Sequence, residues 1–202
     1  MDRPRIESPI ELESFRILRS RVNTAGLQPC TRAVTERVIH TSADVEYADD
    51  LVCDELALHS GWHALHNGAP LIVDVRMLAA GITSRDAIVA LDGAPDRDTT
   101  PADGLTRSAA GVRAAAAEHP DGAVWAIGNA PTALRELLAL AAAGALRPAL
   151  VVGLPVGFVD AADAKAALRA SGLPAVSNRS AKGGTAVAAA AVNALLYLQE
   201  PV

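Results

Sequence analysis

Cysteine is nearly absent from this chain: Cys30 and Cys53 are the only two in 202 residues. Neither has a second Cys or a His at close metal-ligand spacing, which excludes a disulfide scaffold and a structural zinc site and points to a reducing cytoplasm. Aromatic residues are scarce as well, with two each of Trp, Tyr and Phe. Alanine therefore supplies much of the apolar surface, and helix packing should be close and smooth. Positive charge is not in excess: 18 Lys and Arg stand against 23 Asp and Glu, a formal net charge of −5. A general nucleic-acid binder would show a basic face, although a few arginines can still dominate one cleft for an anionic small ligand. No apolar run approaches membrane-spanning length, and the start of the chain is charged (Asp2, Arg3, Arg5, Glu7). No signal peptide, transmembrane helix or membrane partner is expected.

Half of the residues are hydrophobic and about a fifth charged, which suits a globular protein with a real core, and the length suits a single domain over 1–202. Ser8-Pro9-Ile10-Glu11 reads as a helix start, with a capping serine, a first-turn proline and a glutamate completing a capping box. Phe15, Leu18 and Val22 recur at helical spacing, Ser14 lies beside that stripe, and Gly26 with Pro29 ends the element. A second helix is expected from near Thr31. It carries Arg37 and His40 three residues apart, hence on roughly one side. Imidazole titrates near neutrality and can exchange a proton there; a histidine in this position equally serves as a packing or capping residue. A third helix is read after Asp49-Asp50, with Leu51, Leu58, Trp62 and Leu65 apolar. Its His59, His63 and His66 have spacing compatible with a metal, but exposed histidines near a helix C-terminus also complement the macrodipole.

From Pro70 the pattern changes. Leu71–Val75, Ala87–Leu91, Ala123–Ile127, Ala149–Val152 and the weaker Pro174–Ser177 are short apolar runs, as expected for strands buried on both faces. Alanine-rich helical segments at 106–118, 131–143, 160–171 and 184–199 separate most of them. The fold class is therefore α/β, doubly wound and three-layered: a mainly parallel sheet of about five strands with helices on both faces. Segment 92–105, with four Asp, two Pro and two Gly, reads as a long loop. Arg107 follows it in the first turn of a helix, where a cation opposes the dipole. That placement hints at an anionic partner, against the plainer alternative of a solvated residue.

Ligands collect at the carboxyl ends of strands in an open parallel sheet. Three strand ends here run into turns: Gly128-Asn129-Ala130-Pro131, Gly153-Leu154-Pro155-Val156-Gly157, and Lys182-Gly183-Gly184-Thr185. Glycine lets backbone approach a ligand, and helix N-termini offer N–H groups to anions. There is no G-x-G-x-x-G, no G-x-x-x-x-G-K-[ST] and no G-x-S-x-G, so nucleotide binding and a nucleophile elbow have no support.

The blocks Arg37-Val38-Ile39-His40, Ile72-Val73-Asp74-Val75-Arg76-Met77 with Gly81-Ile82, Thr106-Arg107-Ser108, Ile127-Gly128-Asn129-Ala130-Pro131-Thr132-Ala133-Leu134, Gly153 to Asp160 with Lys165, and Lys182-Gly183-Gly184-Thr185 with Asn193-Ala194-Leu195 together resemble the precorrin-8X methylmutase family of cobalamin biosynthesis. They span nearly the whole chain in order. The resemblance implies a cytoplasmic, homodimeric isomerase without cofactor or metal. Such an enzyme moves a methyl group from carbon 11 to carbon 12 of the precorrin-8X tetrapyrrole to give hydrogenobyrinate. It further implies that His40 is the proton donor and acceptor and that Ser14, Arg37 and Arg107 contact substrate, and it adds Asn129, Lys182, Gly183 and Gly184 as binding residues. The family often has Ala-Cys-Gly after the histidine, where this chain has Thr41-Ser42-Ala43. A methyl shift round a conjugated ring asks for a positioned acid/base and carboxylate clamps, which these residue types supply. Two alternatives remain: a tetrapyrrole carrier using the same arginines without catalysis, and an unrelated α/β enzyme for a small carboxylate or phosphate.

Overall fold

The structure is a computed structural model that describes residues 8–96 and 104–201. Half of the loop read at 92–105, residues 97–103, and residues 2–7 thus lie outside the described residues.

The helices are α1 (Pro9–Arg21), α2 (Pro29–Ser42), α3 (Tyr47–Asp50), α4 (Glu55–His66), α5 (Arg76–Gly81), α6 (Arg107–Glu118), α7 (Pro131–Ala142), α8 (Ala161–Ala170) and α9 (Thr185–Tyr197). The strands are β1 (Leu51–Cys53), β2 (Leu71–Val73), β3 (Ile88–Val89), β4 (Val124–Ile127), β5 (Leu150–Gly153) and β6 (Ala175–Asn178). They form one sheet in the order β1-β6-β5-β4-β2-β3. All neighbours are parallel except β1 with β6, which run antiparallel with Leu51 opposite Asn178.

The parallel strands read as continuous apolar runs because each successive side chain meets a helical layer. Leu71, Val73, Val124, Ala126, Leu150 and Val152 face a core shared with α2, α4 and α9. Ile72, Trp125, Ile127 and Val151 face the opposite core, under α6, α7 and α8. Helix α9 is buried continuously from Val187 to Leu195. A helix apolar all round belongs inside, and here α2 closes over it. Glycine permits the close approach of α4 to β5: a Cβ at Gly61 would fall 2.3 Å from Leu150 Cδ2.

Among the described residues there are six strands where about five were expected. The additional one, Leu51–Cys53, occupies residues read as the start of the third helix. Asp54 terminates the strand and caps α4, its carboxylate accepting the Ala57 N–H at 3.0 Å. Helix α2 starts at Pro29, its first-turn residue, not near Thr31: a proline suits a helix start as well as a stop. The strand expected over Ala87–Leu91 shortens to Ile88–Val89, and Ala90–Gly93 forms a 3-10 turn. Among the described residues no helix is long and apolar enough to cross a membrane.

Candidate active site

Helices α1 and α2 bring Ser14 and His40 together. Ser14 Oγ lies 2.8 Å from His40 Nδ1, and the imidazole stacks on Phe15 at a centroid distance of 4.9 Å and 15° between planes. Two ion pairs pin the helices on either side of this contact. Arg37 Nη1 donates to Glu11 at 2.6 Å, and its guanidinium sits over the rings of Phe15 and Tyr197 at 5.1 and 5.2 Å. Arg19 and Arg32 donate to Glu36, which also accepts from Thr24 Oγ1. Burial raises the Glu36 carboxyl, but Arg19, Thr24 and Arg32 outweigh it and hold the group down to about 2. A cavity of about 610 Å3 is lined by Leu12, Phe15, Arg19, Glu36, Arg37 and Tyr197 among others; it reaches Arg37 and Phe15, while Ser14 and His40 are not among its lining residues.

Glu11, expected in a capping box, has its carboxylate on Arg37, while its N–H donates to the Ser8 hydroxyl at 3.2 Å. Arg37 thus reaches the site already paired, and a substrate carboxylate there would share it with Glu11.

A second group gathers at the carboxyl end of the sheet. Gly183 and Gly184, with φ of +146° and +120°, form the turn into α9. Gly183 has no room for a side chain, since a Cβ would fall 2.4 Å from Leu154 O. Lys182 turns its ammonium to Asp44, at 2.6 Å, and to Glu46, so this lysine latches the turn to the segment that follows α2 and His40. Those hydrogen bonds raise its pKa, and Lys182 in turn holds Asp44 below the usual carboxylate range.

Asn129 is exposed on the β4–α7 turn. The main-chain N–H groups of Gly128, Asn129 and Ala130 donate to the buried carboxylate of Asp74, at 3.2, 2.7 and 3.1 Å. Burial raises the Asp74 carboxyl despite these three donors. This corrects the expectation that the Gly128 turn offers its amides to a ligand: the chain supplies its own carboxylate there. The turn lies against the start of α9, where a Cβ on Gly128 would be 3.0 Å from Thr185 Cα. Arg107 opens α6 and donates to the carbonyl of Pro95 at 3.0 Å. Thr106 and Thr132 join the starts of α6 and α7 through their hydroxyls at 2.8 Å.

The remaining candidates are accounted for by packing. Burial pushes both cysteine thiols up to about 12, so neither is a nucleophile at neutral pH. His59, His63 and His66 contact one another or Trp62, and His66 Nδ1 lies 2.9 Å from the Trp62 carbonyl. Among the described residues no group of three or more His, Cys, Asp or Glu is placed to hold a metal ion.

A family model described as precorrin-8X methylmutase matches residues 9–198. The chain belongs to the precorrin-8X methylmutase family. It is 41% identical over 196 residues to the precorrin-8X methylmutase of Pseudomonas aeruginosa, with 93% of this chain and 94% of that one covered. It is 38% identical to the cobalt-precorrin-8 methylmutase of Synechocystis, with 96% of each covered. A crystal structure of precorrin-8X methylmutase from Thermus thermophilus superposes with a TM-score of 0.81 at 35% identity, covering 94% of this chain and 96% of that one. As a methylmutase of this family the chain is an isomerase of cobalamin biosynthesis.

The methylmutase sequence does not advertise Glu11, Phe15, Asp44, Asp74 or Lys165 as site residues, yet each touches one. Their signals were faint: a carboxylate just past a buried strand for Asp74, and for Lys165 a cation in the middle of the alanine-rich α8.

Proposed function

We propose that this chain catalyses the migration of a methyl group from carbon 11 to carbon 12 of precorrin-8X, giving hydrogenobyrinate, with His40 as acid and base. The observation that carries this reading is the Ser14–His40 hydrogen bond. With Nδ1 committed to a hydroxyl and the ring stacked on Phe15, the imidazole has one orientation, and Nε2 is the atom that exchanges a proton with the macrocycle. Protonation lets electron density rearrange round the conjugated ring while the methyl moves. The proton then returns to His40, so nothing is consumed. General acid–base help of this kind is worth ~10²–10⁴-fold.

The remaining groups bind and orient. Arg37 and Arg107 meet carboxylates of the substrate as planar forks. Asn129 and the Lys182-Gly183-Gly184 turn line the carboxyl end of the sheet. Holding one conformation of a large ring removes entropy from the barrier. The proposal extends to a homodimer in the cytoplasm, as the family resemblance implies.

The test is conversion of precorrin-8X, and in parallel cobalt-precorrin-8, by the purified chain, followed by visible absorption. Appearance of the rearranged product supports the proposal; tight binding of hydrogenobyrinate with no turnover of either substrate would show a carrier instead. His40→Ala is expected to keep macrocycle binding and lose turnover by at least about 10²-fold. Wild-type turnover in that variant would overturn the proton role.

A further inference from the structure

Two lysines meet at one peptide. Lys182 sends its ammonium outward to Asp44 and Glu46, while its carbonyl accepts from Lys165 Nζ at 2.6 Å. Lys165 projects from α8 and is 0% exposed. Its other acceptor is Asn178 Oδ1 at 2.8 Å. Asn178, also fully buried at the end of β6, turns its amide group to Asp50 at 2.8 Å and to the Lys182 carbonyl at 3.0 Å. Asp50 collects the N–H groups of Arg179 and Ser180 and the Ser180 hydroxyl. Gly157 N–H donates to the Ala181 carbonyl at 3.2 Å. Every residue from 178 to 182 is therefore tied from inside the molecule.

This is a costly way to fill space. An ammonium loses its hydration on burial, and burial lowers the Lys165 pKa to about 8. Methionine would occupy a similar volume without that cost. It would also remove the ammonium's two hydrogen bonds and leave the Lys182 carbonyl with the Asn178 amide, just ahead of Gly183 and Gly184, the residue type with the most backbone freedom to lose.

We propose that Lys165 is a positioning residue for the Gly183–Gly184 turn: its ammonium fixes the Lys182 carbonyl from beneath, and so presents the start of α9 already ordered to the substrate. This rests on the substrate-binding role proposed above for Lys182, Gly183 and Gly184. Order set in advance is order that binding need not impose, so the effect falls on affinity and not on the chemical step. Freeing one or two residues corresponds to a change on the order of tenfold.

The experiment compares wild type with Lys165→Met by steady-state kinetics on precorrin-8X and by backbone amide hydrogen exchange. The expected result is a KM raised on the order of tenfold with kcat within about threefold, and faster exchange confined to residues 179–185. Lys165→Gln, which removes the ammonium but leaves a polar side chain, is judged by the same exchange and KM criteria if Lys165→Met does not fold. Unchanged exchange at 179–185 overturns the proposal, as does exchange raised evenly through the fold or a fall in kcat at constant KM. If wild type converts no tetrapyrrole, the functional reading fails, while the exchange data still decide whether Lys165 orders the turn.

Discussion

A hydroxyl gives and accepts hydrogen bonds without changing its own charge, and this suits Ser14 to its neighbour. Facing neutral His40 it can donate to Nδ1, leaving the proton on Nε2. Facing the imidazolium it can accept from Nδ1, so the pair stays satisfied on both sides of a proton transfer. Ser14→Ala is expected to lower kcat on the order of tenfold, with KM moved much less, since about one hydrogen bond that orients the base is lost; rates measured at saturating precorrin-8X check it. At this scale the sequence singled out residue types, and the structure adds where three of them lie. His40, Ser14 and Arg37 stand out by type, spacing and family resemblance, and all three lie on the α1–α2 face. What a side chain is already bonded to was not legible. The ammonium of Lys182 and the guanidinium of Arg37 were expected to meet substrate, but each reaches the site holding carboxylates from remote positions, Asp44, Glu46 and Glu11. Pairings such as Lys182 with Asp44, 138 positions apart, leave no local trace.

Helix α2 is the element on which the two halves of the site meet. It carries Glu36, Arg37 and His40, and one residue past its end Ala43 adopts φ +54°, the left-handed conformation that favours glycine. The family often has glycine at that place, and this chain holds alanine there under strain. Ala43→Gly is expected to stabilise the protein by about 0.5–1 kcal/mol, read as a higher midpoint of urea unfolding, because the strained conformation suits glycine better. An unchanged or lower midpoint would mean that the gain in chain entropy on unfolding is the larger effect. Most elements were legible because their periodicity is strong: the segments expected at 106–118 and 131–143 appear as Arg107–Glu118 and Pro131–Ala142. β1 was missed because three apolar residues joined to a helix carry no period of their own. Asp54, read as part of the helix, is instead the cap that marks the boundary.

Across the whole molecule, α1 is attached largely by charge. Apart from Phe15 and Leu18 it buries little, and Glu36 is the carboxylate that binds both Arg19 and the following Thr24. A carboxyl held to about 2 when folded, against 4.5 when free, adds stability above pH 4.5 that is lost as pH falls towards 2. The loss is roughly 3 kcal/mol. Urea midpoints taken at neutral pH and near about pH 2 should show it, and Glu36→Gln should flatten the difference. Lys165 gives the same direction of pH dependence, but for it the shift is a cost carried while the buried group is charged, relieved as pH rises. Its folded value of about 8 lies below the usual 10.5, so the unfolded chain binds its proton more tightly and the contribution to stability rises between those pH values. The sheet order was only half legible: alternating runs specified parallel strands between helices, but an antiparallel strand at the edge needed the pairing of Leu51 with Asn178 to be seen. Asp74 remains. In many open sheets the first amides of a helix after a strand are a landing place for phosphate. Here that place is filled by a carboxylate from the neighbouring strand, already dry and already bonded three times. A cell's pool of nucleotides and sugar phosphates therefore finds no docking point at the Gly128 turn, and an inhibitor designed as a phosphate mimic for that position would have to displace a part of the protein itself.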